Sequence, residues 1–590
     1  MKYQRHAILA LAAAAFTASA QDLSTEVVVE RNIKPVEQTA TRLNGVSPAI
    51  VAPRVENKRL DAAEYNGQPT LTTVLSRLEP APYADTIPVS PWRGYVAGGY
   101  FPAYNLGITA GYRIVNKPRT AVGVDMMFNG MSYKVDNYYG KKWTYSRNSV
   151  QLNAYAQHIF NAGTLGANLG YGHIRLGQPY IDIVEEKFTQ RINRLNFGID
   201  WQSAPIADNV TYALSGNIST FRFSEALPWG ITSYIDGGGY PDGILHPEVD
   251  GEPVKGAVYK FSASLGQKLD NGFRWQLDAD ADIQHLNRNT HIVWRNDYAT
   301  SVDYDSSHNY SIIGLTPTLG IERDHFNARL GARIDFLSGT DRSTLHIAPA
   351  VHVAWMPASQ FAVWGSATGG EQLNTLASLY EYCPWMIGSL AYAPSSVPLD
   401  IQAGVNVGPL AGFTLKLWAG WSKANNWLMP NLIDNITVND NLNTFDSQSI
   451  EGWHYGAEAR YAHRYFEIYT GIEGAQSSHD YGYYLWRDRA KLAFKAGVSV
   501  KPIAKLQIDA DFSLRTSRKS FTNSIEDGIE WYTPIDLGNA NNLSLGGRYA
   551  VTPALSVFLR MENMLGKRYM LIPNIESQGF HGLLGAEFKF

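Results

Sequence analysis

Gln578-Gly579-Phe580-His581-Gly582-Leu583-Leu584-Gly585-Ala586-Glu587-Phe588-Lys589-Phe590 ends the sequence. Phe580, Leu584, Ala586, Phe588 and Phe590 fall on one face of an extended strand, and His581, Glu587 and Lys589 fall on the other. A strand needs such a split when its two faces meet different solvents. Nothing follows Phe590 to cover an exposed edge, so its backbone is expected to pair elsewhere, most simply with the first strand of a closed barrel near residues 92–101.

The same period of two recurs upstream, and the helical period is scarce. Phe273, Trp275, Leu277, Ala279, Ala281 and Ile283 interleave with Arg274, Gln276, Asp278, Asp280, Asp282 and Gln284. Phe326, Ala328, Leu330, Ala332, Ile334 and Phe336 alternate with Asn327, Arg329, Arg333 and Asp335, and residues 506–515 repeat the pattern. Strands of about ten residues with an apolar outer and a polar inner face are those of a transmembrane barrel. Connections alternate too. Tight ones such as Asn116-Lys117-Pro118, Asp324-His325 and Thr552-Pro553 are followed by long ones at 224–253, 287–307, 371–395, 424–450 and 518–540. The sequence therefore predicts an all-β, antiparallel up-and-down barrel of about 22 strands, with short periplasmic turns, long extracellular loops and both termini periplasmic. Trp143, Tyr145, Trp201, Trp355, Trp453 and Tyr455 are expected at the membrane interfaces. A barrel of this size encloses a lumen that something must fill.

Composition fits. Aromatic residues make up 12%, charged residues only 18%, and there are 52 glycines, which favours strands over helices. A net charge of −4 gives no reason to expect nucleic acid as a partner, and one cysteine, Cys383, excludes an intramolecular disulfide. Lys2, Arg5 and His6 precede an apolar run, and Ala18-Ser19-Ala20 offers small residues for cleavage. This reads as a signal peptide over residues 1–20, followed by an N-terminal segment over 21–91 and a barrel over 92–590. The run is too short for a membrane helix, and no later stretch is long enough.

Met561-Glu562-Asn563-Met564-Leu565-Gly566-Lys567-Arg568-Tyr569, followed by Pro573, Gly579-Phe580 and Phe590, resembles the ending of the TonB-dependent receptors of the bacterial outer membrane. Residues 373–381 resemble the family's loop between the middle strands. The resemblance implies a cell outer-membrane barrel in lipid that takes up a bulky ligand and works with TonB. Thr25-Glu26-Val27-Val28-Val29 resembles the box that pairs with TonB. The N-terminus departs from the family, because residues 21–91 are shorter than a complete plug. A plug-less barrel serving as a structural or assembly subunit, its lumen filled by partner proteins or inward-folded loops, and a passive porin are the alternatives. A terminal aromatic on the lipid face resembles the signal read by barrel-assembly machinery, which gives Phe580, Phe588 and Phe590 a second expected role.

Candidate site residues lie on the lumen face. Asp278, Asp280 and Asp282 form an acid row that could select cations, and Arg329 and Arg333 could attract anions. Neighbours in such a row stand about 6.7 Å apart, twice the strand rise, so cross-strand pairing competes with ion binding. His346 and His352 share a face but are too far apart to hold one metal together. No nucleophile elbow or phosphate-cradling glycine loop is present, so no enzyme, cofactor or metal is expected.

Overall fold

The computed structural model describes residues 92–590 other than 103, 137–141, 178–188, 205–209, 226–252, 270, 287–289, 293–301, 305–308, 340–344, 385–391, 434–441, 478–489, 527–528 and 574. The expected leader, the segment 21–91 and Thr25 to Val29 within it lie outside the described residues.

Among the described residues one 24-stranded sheet closes on itself. Two of its strands, Lys519–Glu526 and Ile529–Asp536, form a hairpin that joins only through a short parallel pairing of Leu432 with Thr522 and Ile433 with Asn523. The other 22 make an antiparallel ring. The last strand closes it as expected: His581–Lys589 pairs with Gly94–Phe101, from Tyr95 opposite Lys589 to Tyr100 opposite Leu584. Phe590 extends the seam, its carbonyl accepting the Arg93 and Gly94 amides at 2.8 Å and its own amide donating to Gly94 O at 2.9 Å. A closed ring leaves no unpaired edge, which a backbone in hydrocarbon requires.

The outer face is apolar and unburied by the protein itself. Leu319 is 70% exposed, Ile347 66% and Leu584 61%, exposures that water would penalise and a bilayer does not. No described helix is long and apolar enough to cross a membrane. Connections alternate between short turns, such as those at 118–119 and 324–325, and longer ones, such as 373–394 and 563–580, so the barrel has a turn end and a loop end.

Near the loop end, on one arc, the alternation changes phase. In Gly163–Gly177, Leu169 and Tyr171 point outward, but two turns of the pleat later Ile174 and Leu176 are buried inward and Arg175 points out. Thr211–Phe223 does the same, with Ile218 outward and then Phe221 and Phe223 inward around an outward Arg222. This inversion corrects part of the girdle expectation. Trp355, Trp453 and Tyr455 are outward and about half exposed, whereas Tyr145 is 5% exposed in an interior cluster and Trp143 packs against that cluster.

Three stretches expected as long loops hold regular structure in their described residues. Strands Phe413–Ile433 and Leu442–Ala462 each hold 21 residues, roughly 70 Å of chain where about ten residues would cross the membrane. A bulge between Ala424 and Trp427, with Asn426 at φ 52°, lets this pair continue past the rim. Its reward is burial: Met429 and Ile450 pack with Phe521 and Ile535 of the added hairpin. The segment after Gln372 forms a helix, Leu376–Tyr382.

Candidate functional site at the lumen and its mouth

The helix Leu376–Tyr382 begins where Thr375 caps it, the Thr375 hydroxyl accepting the Ser378 amide at 3.3 Å. Its apolar residues Leu376, Leu379 and Tyr380 follow at the i, i+3, i+4 spacing of one helix face, and all three are buried. They are buried in the barrel mouth. Tyr380 meets Phe223 edge-on at 4.9 Å between ring centres, and the same cluster holds Tyr133, Val135, Ile174 and Ile192 from the wall. The helix is also tethered by polar contacts: Arg194 on the wall pairs with Glu381 and donates to Ala377 O at 3.0 Å. Buried Gln284 accepts the Leu376 amide at 2.9 Å.

A second element enters from the other side. The connection 563–580 folds inward as a small hairpin, Met570–Ile572 with Ile575–Glu576, whose Leu571, Ile572 and Ile575 join the same cluster. Asn563 starts it at φ 47°, a left-handed conformation that asparagine tolerates, and its amide donates to Lys567 O and Gln578 O at 3.0 and 2.8 Å. One side chain thereby fastens both ends of the connection. Tyr133 donates its hydroxyl to Glu576 O at 2.9 Å, and Arg568 donates to Lys134 O at 2.7 Å. Arg518, 4% exposed, donates to the Met570 and Leu571 carbonyls and lies over the Tyr569 ring. Burial pulls its guanidinium down to about 10, so it remains a cation at neutral pH.

Helix and hairpin together form a lid over the lumen. A cavity of about 30 Å³, room for a water molecule, lies between the lid and Tyr145 and Arg147 of the wall. Cys383 sits at the end of the lid helix, fully buried, and burial raises its thiol well above the usual range.

Below the lid the wall is polar, and the expected charge rows meet there. Asp280 and Arg333 form a two-pronged pair, with the guanidinium nitrogens 3.0 and 2.8 Å from the carboxylate oxygens. Arg333 also reaches Asp335, 1% exposed, at 2.9 Å. Between them stands Gly314, opposite both Asp280 and Asp335. A Cβ there would lie 2.7 Å from the guanidinium and 2.8 Å from the carboxylate, so the missing side chain is what lets the pair span a strand. The network continues to the lid: Asp335 accepts the Glu371 amide at 2.8 Å, and Glu371 pairs with His346 at 3.0 Å just before the lid segment begins. Asp282 pairs with Lys260 at 3.8 Å, and Asp278 accepts the Gln276 amide at 2.8 and 2.9 Å. Arg329 stands opposite Gly320, whose other neighbour is Arg274, and opposite His352. Within the acid row Arg333 thus neutralises Asp280 and Lys260 neutralises Asp282, while Arg329 makes no ion pair with the row among the described residues.

At the seam, Phe588 and Phe590 are half exposed and stacked, with Phe590 also stacked on Tyr112, both at 6.2 Å; Phe580 meets Phe101 edge-on at 5.7 Å. Residues 373–381 stood out in the sequence only as resembling a family loop, and the inward hairpin and Arg518 did not stand out, although the helical spacing after Thr375 and the phase inversion of the wall are both visible there.

No family model and no curated protein sequence matches this chain. Solved structures do. The siderophore receptor PirA from Acinetobacter baumannii matches with a TM-score of 0.61 at 9% identity, covering 84% of this chain and 80% of that one. The FrpB iron transporter from Neisseria meningitidis matches at 0.59 and 11%, covering 85% and 81%. A mutant of the ferric enterobactin receptor PfeA from Pseudomonas aeruginosa matches at 0.60 and 11%, covering 84% and 80%. This chain is therefore built on the 22-stranded barrel fold of iron and siderophore receptors, and its resemblance to the TonB-dependent receptor family holds at the level of that fold.

Proposed function

We propose that this chain is an outer-membrane, receptor-like barrel that takes up a bulky ligand from outside the cell, with both termini in the periplasm. The lumen carries the reading: it is wide, its wall is polar below the mouth, and its own residues close the mouth with a lid. A passive porin has no use for such a lid, and a gated pathway requires one. The similar structures named above, an iron transporter and receptors for siderophores, suggest ferric siderophores as the ligand class. Residues 21–91 are assigned to the lumen below the lid, and Thr25 to Val29 to strand addition with TonB. Phe580, Phe588 and Phe590 are assigned to recognition by the barrel-assembly machinery.

The test is uptake of labelled ferric enterobactin by iron-starved cells that lack their own receptors. The expected result is uptake with the full chain and none after deletion of residues 25–29. Uptake that survives the deletion removes the role of that segment.

The tethering of the lid favours a second reading. Arg518, Tyr133, Gln284 and Arg194 hold it by polar contacts. Such a lid suits a permanently closed structural or assembly subunit of an outer-membrane complex. Stoichiometric partner proteins after mild-detergent purification, together with no uptake, would establish that role and remove the first.

A further inference from the structure

On the arc where the alternation inverts, the outward residues at the loop end are cations. Arg175 stands directly opposite Arg191 on the neighbouring strand, and Arg222 stands directly opposite Lys255 two strands further on. All four are exposed and make no ion pair among the described residues. Like charges facing each other across a ladder destabilise a sheet, so two such rungs side by side call for a counter-charge that no described residue supplies. Elsewhere the chain supplies its own: the outward Lys423 pairs with Glu451 at 3.4 Å.

The position of the rungs says what supplies it here. The same outward faces carry Leu169 and Tyr171 below Arg175, and Leu195 and Phe197 below Arg191, all 40–50% exposed. Four residues separate Tyr171 from Arg175, about 13 Å along the strand and about 10 Å along the membrane normal after strand tilt. Between the apolar band and the cations lies a polar rung in which the Tyr171 hydroxyl donates to Asn193 at 3.0 Å and His173 shares that oxygen at 2.8 Å. Apolar band, tyrosine rung and cation rungs follow one another as hydrocarbon, interface and headgroups do. Three strand spacings, about 14 Å, separate Arg175 from Lys255, so two phosphates on one headgroup could each meet one pair.

We infer that Arg175, Arg191, Arg222 and Lys255 form a binding site for a phosphate-bearing lipid headgroup of the outer leaflet. Arginine forks suit phosphate oxygens, and each cation near a charged lipid surface adds to binding. The site lies outside the lumen, so it stands whether or not the barrel transports anything.

The test uses the purified full chain in detergent, exchanged against micelles containing lipopolysaccharide or its dephosphorylated form, with retained lipid counted by native mass spectrometry. The wild type is expected to retain the phosphorylated form. R175Q/R222Q, which takes one cation from each rung, and R175Q/R191Q/R222Q/K255Q are expected to lose roughly fivefold in affinity for each cation removed. K117Q/K505Q, at the turn end, is expected to retain it. Heat-modifiable gel migration checks that each variant is folded; the two-site variant carries the test if the four-site variant is not. Equal retention of both lipid forms, equal loss in the turn-end control, or displacement by millimolar inorganic phosphate would overturn the site.

Discussion

Arg333 shows how the lumen wall settles competing charges at single residues. Its two carboxylate partners differ in surroundings: Asp280 keeps access to the lumen water, while Asp335 is buried. Replacing Arg333 with Met leaves Asp335 charged and enclosed, a loss of about 3 kcal/mol for a buried pair broken from one side. Asp280→Asn leaves the Arg333–Asp335 contact in place and should cost well under half as much. Urea titration of the heat-modifiable gel band reads both, and equal losses would show that Asp335 does not depend on Arg333. Cys383 offers a second test at this scale. Its thiol is fully buried and its ionisation suppressed, so a maleimide should label it only after denaturation. Labelling of the folded barrel would mean that the lid opens on the timescale of the reaction. On the outer face, Leu330, 56% exposed and well inside the apolar band, should lose about 2–4 kcal/mol on replacement by Arg, read by the same titration.

The lid is the element on which the proposed function turns. Helix Leu376–Tyr382 is seven residues long, too short to be stable alone, so it owes its structure to the wall it packs on. Tyr380→Ala removes its largest anchor and should cost the lid about 3–5 kcal/mol, the usual range for a buried aromatic. Deleting residues 570–576 removes the other half of the lid together with the carbonyls that Arg518 binds. In planar bilayers a chain lacking residues 21–91 should stay closed, the hairpin deletion made in that chain should conduct, and Tyr380→Ala in it should flicker. A silent hairpin deletion would place the barrier lower in the lumen and leave the lid without a gating role. The helical spacing after Thr375 was legible in the sequence, but nothing there said that the helix turns inward. That depends on the opposite wall: Phe223, Ile192 and Val135 lie far away in the chain and offer an apolar surface only because the barrel curves them to face the helix.

At the scale of the whole molecule, closure joins the first described strand to the last, and Phe590 lies on that seam. Phe590→Asp places a charge between Phe588 and Tyr112 on the lipid face, so it should reduce the amount of assembled barrel in membranes, and normal levels would discount the terminal aromatic. The number of strands, their alternation and the closing pair were readable because a membrane barrel imposes a period of two on every strand and forbids a free edge. The same rule misplaced Tyr145, since near the loop end the inside of the barrel is as apolar as the outside below it. Partners in the charge rows were hidden as well. Asp280 and Arg333 are 53 residues apart, and only the register across Gly314 brings them together. Local alternation thus determined that this chain forms a large closed membrane barrel. What fills its mouth, which charges cancel, and where four cations line up on the outer wall were decided by the tertiary structure, because each depends on curvature and register between strands distant in sequence.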